Sequence, residues 1–175
     1  MTLQNKNWIA GLLGFSGIAL STLVPGGPIE TRSFAHINPF TLGVFNTFLT
    51  TLCLGSLVLV YFVLRAKHWA VIAAAVCGLS YLGVYGLDLA QIFPVSPNAM
   101  PPALLVIEVV GTLVSFPLMG LSLQAMQKRQ TSAGVPQLQT KNLSSFQLPQ
   151  VVTAAGLGIM GLGIITFATR SAMGL

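Results

Sequence analysis

The chain reads as an all-α integral membrane protein, a five-transmembrane-helix bundle, and three observations point there. Of its 175 residues, 54% are hydrophobic and only 6% charged, with a mean hydropathy of +0.82, whereas soluble domains carry about 25% charged residues. Five apolar runs, Trp8 to Val24, Phe40 to Leu64, Trp69 to Phe93, Pro102 to Ala125 and Val151 to Ala168, have the length needed to cross ~30 Å of hydrocarbon. None of them shows the short alternating segments of a membrane barrel, so each backbone must satisfy itself as a helix.

The first run opens on Lys6-Asn7-Trp8 and carries Gly11, Gly14 and Gly17 at helix-packing spacing. That spacing favours a retained span over a secretory signal, although Ala19-Leu20-Ser21 resembles a cleavage site. Pro25-Gly26-Gly27-Pro28 ends it and begins a loop to Pro39 that holds Glu30, Arg32 and His36. The second run follows Pro39, and the third begins at Lys67-His68-Trp69. Pro94 to Pro102 forms a shorter, uncharged loop before the fourth, stiffened like the first because proline fixes φ. Gln127 to Gln150 is polar and rich in Gln, Ser and Thr, the composition of a flexible linker. The expected organisation is a four-helix bundle over 1–126, a linker over 127–150 and a separate C-terminal helix over 151–175.

The bases set an orientation. With five spans, Lys6, Arg65, Lys67, Lys128, Arg129 and Lys141 fall on one side, and only Arg32 and Arg170 on the other. The positive-inside rule then places the N-terminus in the cytoplasm and the C-terminus outside, in a plasma or bacterial inner membrane. The formal charge of +5 is on this reading a topology signal. A nucleic-acid partner is not expected, because no basic face is free to track phosphates.

The first four runs read as a tandem pair of helical hairpins. Trp8 matches Trp69, Gly17 matches Gly78, and Pro25-x-x-Pro28 matches Pro94-x-x-Pro97; on the return helices, Pro39 and Asn46 match Pro101 and Glu108. Both copies point the same way, a parallel repeat with its axis along the membrane normal.

The sequence holds only three carboxylates, Glu30, Asp88 and Glu108. At 1.5 Å per residue, Asn46 and Glu108 lie about 10 Å inside Pro39 and Pro101, and Asp88 about 9 Å before Pro94. Three polar side chains on three helices therefore share one level in the outer leaflet. Helical spacing extends each into a stripe: Tyr81, Tyr85 and Asp88; Glu108, Thr112 and Ser115; Asn46 and Thr50. Facing one another, these stripes enclose a polar pocket that opens outward. An ionisable residue at membrane depth marks a site by default, and Arg32 supplies a fork of donors able to bridge two acids. The candidate ligand or proton site is thus Asp88, Glu108, Arg32, Glu30, His36, Asn46 and Tyr85.

Several chemistries are excluded. His36 and His68 lie at span ends, leaving no mid-membrane pair for a haem. No lysine lies within a span to form a Schiff base. No nucleotide-binding or nucleophile-elbow pattern is present, and His, Asp and Glu occur without metal-ligand spacing. No cofactor or metal is expected. Cys53 and Cys77 read as small hydrophobes in helix interiors.

Beyond the lipid bilayer, the expected partner is a membrane protein or a second copy, met through Gly156, Gly158, Gly161 and Gly163 of the last helix, whose face is expected to lack polar residues until Arg170. The leading functional expectation is a non-catalytic accessory or assembly protein with an ion-pair cluster in the outer leaflet. The alternatives are a small oligomeric proton-coupled transporter using Asp88 and Glu108, and a membrane enzyme acting on a lipid or quinone headgroup.

Overall fold

The computed structural model describes residues 3–132 and 148–174, with side-chain surroundings for 4–128 and 158–174. Five helices account for almost all of it: α1 (Leu3–Ser21), α2 (Pro39–Leu64), α3 (His68–Leu89), α4 (Pro102–Ser132) and α5 (Leu148–Ala172). No strand occurs among the described residues. Three helices are long and apolar enough to cross a membrane, over Pro39–Leu64, His68–Leu89 and Pro102–Lys128. These suggest a membrane protein, and the large apolar side chains left on the outside, among them Phe40, Ile72, Val106 and Leu113, are what a lipid-facing surface requires.

Helix ends follow local chemistry. α2 begins at Pro39, where a missing N–H costs nothing, and Asn38 caps it by accepting from the Phe40 N–H at 2.8 Å. α3 stops at Leu89, short of the expected Phe93, because Ala90 caps it and Gln91 adopts a positive φ of 54° just before Pro94. α4 runs to Ser132 and so takes the first six residues assigned to the linker. Gln127, Lys128, Arg129 and Gln130 are good helix formers, and no proline interrupts them. The rest of that linker up to residue 147, Lys141 included, lies outside the described residues, and α5 begins at Leu148.

Helices α1 to α4 form a sheared bundle. α1 packs on α2 and α4, α3 packs on α4 and α2, and of the two diagonal pairs α1 and α3 touch while α2 and α4 do not. Glycine decides how closely each hairpin shuts. A Cβ at Gly17 would sit 3.3 Å from the Leu57 side chain and 3.4 Å from the Cys53 carbonyl, and one at Gly78 would sit 3.1 Å from the Met119 backbone nitrogen. Ile9, Leu13, Leu59, Val63, Val71, Ala74, Tyr81 and Leu118 fill the space between. Among the described residues α5 packs on α2.

Candidate functional site

The site is built on the loop between α1 and α2. Gly26 turns it with a φ of 81° and donates to the Glu30 carbonyl at 3.2 Å; a Cβ there would also collide with Ser171 of α5 at 2.5 Å. Ser33 is gripped by the α3–α4 loop, its N–H donating to Asn98 Oδ1 at 3.2 Å and its carbonyl accepting from Ser96 Oγ at 3.1 Å. The Phe34 N–H donates to the Ala172 carbonyl at 2.8 Å, and the Phe34 ring is buried against Leu42 and Ala172. With Ser33 and Phe34 pinned, Arg32 has nowhere to point except into the bundle.

There it bridges two acids. Nη1 and Nη2 donate to Asp88 Oδ1 and Oδ2 at 2.9 and 2.7 Å, a parallel bidentate pair. Nε and Nη2 donate to Glu30 Oε1 and Oε2 at 3.0 and 2.6 Å, and the Arg32 backbone N–H adds a bond of 3.1 Å to Glu30 Oε1. All three side chains are buried, and the guanidinium carbon lies 5.3 Å from the Phe34 ring centroid. Burial works to lower the proton affinity of the guanidinium, but the bonds and charges of Asp88 and Glu30 outweigh it, so its pKa lies above the ordinary value.

Glu108 stands apart from this clamp. It projects from α4, is 2% exposed, and reaches Asp88 but not Arg32 by hydrogen bond. Its Oε2 has no hydrogen-bond partner, and neither does the hydroxyl of Tyr85, which is 1% exposed. The Tyr85 ring lies against Gly111 of α4, where a Cβ would overlap it. Both orphaned groups line a cavity of about 50 Å³ together with Glu30, Asn46 and Asp88, room for a small group or a few waters. A larger cleft of about 400 Å³ between α1, α2 and α5 shares Leu20, Leu23, Pro25, Asn46 and Leu49 with it and continues along Thr50, Gly163, Ile164 and Phe167.

Six of the seven candidate residues thus meet at one place: Glu30, Arg32, Asp88, Glu108, Asn46 and Tyr85. His36 does not; it is exposed on the loop beyond the pinned segment, because Phe34 and not His36 takes the inward position. Thr112 and Ser115 also drop out of the site, since their hydroxyls donate to the Glu108 and Gly111 carbonyls one turn back at 2.8 and 2.7 Å. α5 contributes a polar group that an apolar reading of its face misses: Thr169 Oγ1 accepts from Asn46 Nδ2 at 3.1 Å. The signal was present in the sequence, as Thr166 and Thr169 precede Arg170 within one helical turn. Among the described residues no group of three or more His, Cys, Asp or Glu side chains is placed to hold a metal ion.

An all-helical bundle among the described residues, with three helices long and apolar enough to cross a membrane and a buried acid–arginine clamp, is the class this geometry defines. A family described as a domain of unknown function, DUF8051, matches residues 5–136, which span the whole clamp, and the chain belongs to that family. No curated protein and no solved structure matches the chain.

Proposed function

We propose that the protein is a five-span bundle, N-terminus in the cytoplasm and C-terminus outside, that serves as a non-catalytic accessory or interaction protein. The observation that carries this is the commitment of Arg32: its Nε/Nη2 edge is taken by Glu30 and its Nη1/Nη2 edge by Asp88, which leaves neither bidentate edge open to a substrate anion. A buried ion network bridged in this way fixes geometry. It holds the loop on α3, and through Phe34 it holds the end of α5.

The tandem-hairpin reading belongs to the same proposal. Gly17 against Leu57 and Gly78 against Met119 are equivalent close approaches in the two hairpins. Contact across the α1–α3 diagonal and separation across α2–α4 are what a two-fold axis between α1 and α3 produces.

The partner surface is the part of α5 that α1 and α2 leave uncovered, including the mouths of the clefts lined by Gly158 and Gly163. Gly158 and Gly163 have open space where a Cβ would stand, whereas Gly161 faces Leu54 and Thr50 of α2; the side-chain surroundings of Gly156 lie outside the described residues. Ile159, Met160, Leu162 and Phe167 are exposed on the same helix. A photo-crosslinker placed at Gly158 in native membranes is expected to give one stoichiometric adduct, with a membrane protein or a second copy. Gly158→Leu is expected to abolish the complex without lowering the unfolding temperature. A protein that remains alone under both conditions overturns the reading.

A second reading, proton-coupled transport, is favoured by the orphaned Glu108 Oε2 and Tyr85 hydroxyl. Carboxylate infrared difference spectroscopy in lipid separates the two. Transport requires a Glu108 carboxyl band that titrates near neutral pH with Arg32 present, together with pH-dependent flux that Glu108→Gln abolishes.

A further inference from the structure

We infer that the two adjoining cavities, which share Asn46 and four other wall residues, form a binding site for a long-chain primary amine, its ammonium held by Glu108, Tyr85 and Asn46 and its tail lying in the α1–α2–α5 cleft. This goes beyond the interaction reading, which assigns the site no ligand.

The head is identified by what the cavity lacks. Two residues at its wall, Glu108 and Tyr85, carry almost fully buried and unpartnered polar atoms, the Glu108 Oε2 and the Tyr85 hydroxyl, and leaving such groups unpaired is costly. Asn46 gives its Nδ2 to Thr169, which leaves the Asn46 carbonyl oxygen as an acceptor at the junction of the two cavities. A primary ammonium carries three N–H donors and no acceptor, which matches a carboxyl oxygen, a phenol oxygen and an amide oxygen. Charge points the same way. Glu30 and Asp88 share one guanidinium and the Glu108–Asp88 hydrogen bond holds a proton between those two acids, so the cluster keeps an excess of one formal negative charge that a cation offsets and an anion worsens.

A free amine fits this site and an aminophospholipid does not. About 50 Å³ admits an ammonium and its first methylenes, and the phosphate that follows in a phospholipid would need a basic partner, but Arg32 is already taken by Glu30 and Asp88. The tail is identified by the cleft, whose volume of about 400 Å³ falls within the ~300–1,000 Å³ range of ligand pockets. Leu20, Leu49, Leu54, Ile164 and Phe167 line it, the environment a hydrocarbon chain prefers.

The test is calorimetric titration of the full chain in phosphatidylcholine nanodiscs with dodecylamine, against empty discs. Dodecanol, dodecanoate and dodecyltrimethylammonium serve as head-group controls, and discs containing phosphatidylethanolamine as competitor. Saturable binding at one amine per chain is expected, at least about tenfold tighter than dodecanol or the trimethyl analogue, as loss of a charged hydrogen bond implies. Glu108→Gln and Tyr85→Phe are each expected to weaken it, the first by about tenfold or more. Gly163→Leu fills the cleft where a Cβ meets open space and is expected to weaken the amine while the unfolding temperature holds, which keeps the test valid if Glu108→Gln fails to fold. Equal binding of dodecanol, effective competition by phosphatidylethanolamine, or wild-type affinity in Gly163→Leu overturns the inference.

Discussion

Arg32 is held along two edges of its guanidinium, and no other side chain can replace it. Lysine has a single ammonium and cannot present parallel donors to Asp88 while reaching Glu30. Removing one partner of a buried ion network leaves the others uncompensated, at a cost of about 3–5 kcal/mol. Arg32→Ala is therefore expected to lower stability by that amount, and Arg32→Lys by a smaller but clear fraction of it, in denaturant unfolding of the protein in lipid. The pH dependence has a definite sign. Because the folded pKa of Arg32 is raised above its ordinary value, its contribution is fully present below that ordinary value and is lost as pH climbs from there through the folded one. Between pH 7 and 10 the stability gap between wild type and Arg32→Ala is expected to stay constant; a gap that shrinks in this window would show that Arg32 is not the group that holds the network. Lower in α3, Tyr81 donates to Ser56 Oγ at 2.8 Å in the core. Tyr81→Phe strands that serine and is expected to cost about 1–2 kcal/mol by the same measurement.

At the scale of elements, the shared depth of Asn46, Asp88 and Glu108 was legible because prolines mark the helix ends and the rise per residue does the rest. Which acid Arg32 takes was not legible, since that depends on the path of an irregular loop set by long-range bonds from Ser96, Asn98 and Ala172. The same loop hid the exchange of His36 for Phe34 at the inward position. The glycines behave unequally for a comparable reason: spacing places Gly11, Gly14, Gly17, Gly158, Gly161 and Gly163 on small faces, but only packing shows that Gly14, Gly17 and Gly161 meet α2 while Gly11, Gly158 and Gly163 meet open space. Gly78 meets backbone, which cannot rotate away, so Gly78→Leu is expected to wedge α3 from α4 at a cost of about 1–3 kcal/mol. Gly163→Leu, in open space, serves as the matched control in the same thermal unfolding series.

For the whole molecule, composition alone announced a membrane protein, and the structure supplies three helices able to span. The proposed five-span orientation makes a simple claim about sidedness. In a Cys53→Ala, Cys77→Ala background, Lys67→Cys is expected to react with a membrane-impermeant thiol reagent only from the cytoplasmic side, and Ser96→Cys only from the opposite side. Labelling of both from one side would rule out that arrangement.

The attachments of α5 are unevenly distributed along its length. Asn46 to Thr169, Gly26 against Ser171 and Phe34 to Ala172 all gather at its last turn, while toward Gly158 a second cleft of about 560 Å³ opens between it and α2. A rod clamped at one end is a lever. Any load that swings the Gly158 end pivots at Thr169, and the backbone bond at Phe34 passes the torque to a residue only two positions from Arg32. Tension on α5 from a neighbour would in this way be felt at the carboxylates, with no signal needing to cross the bundle core.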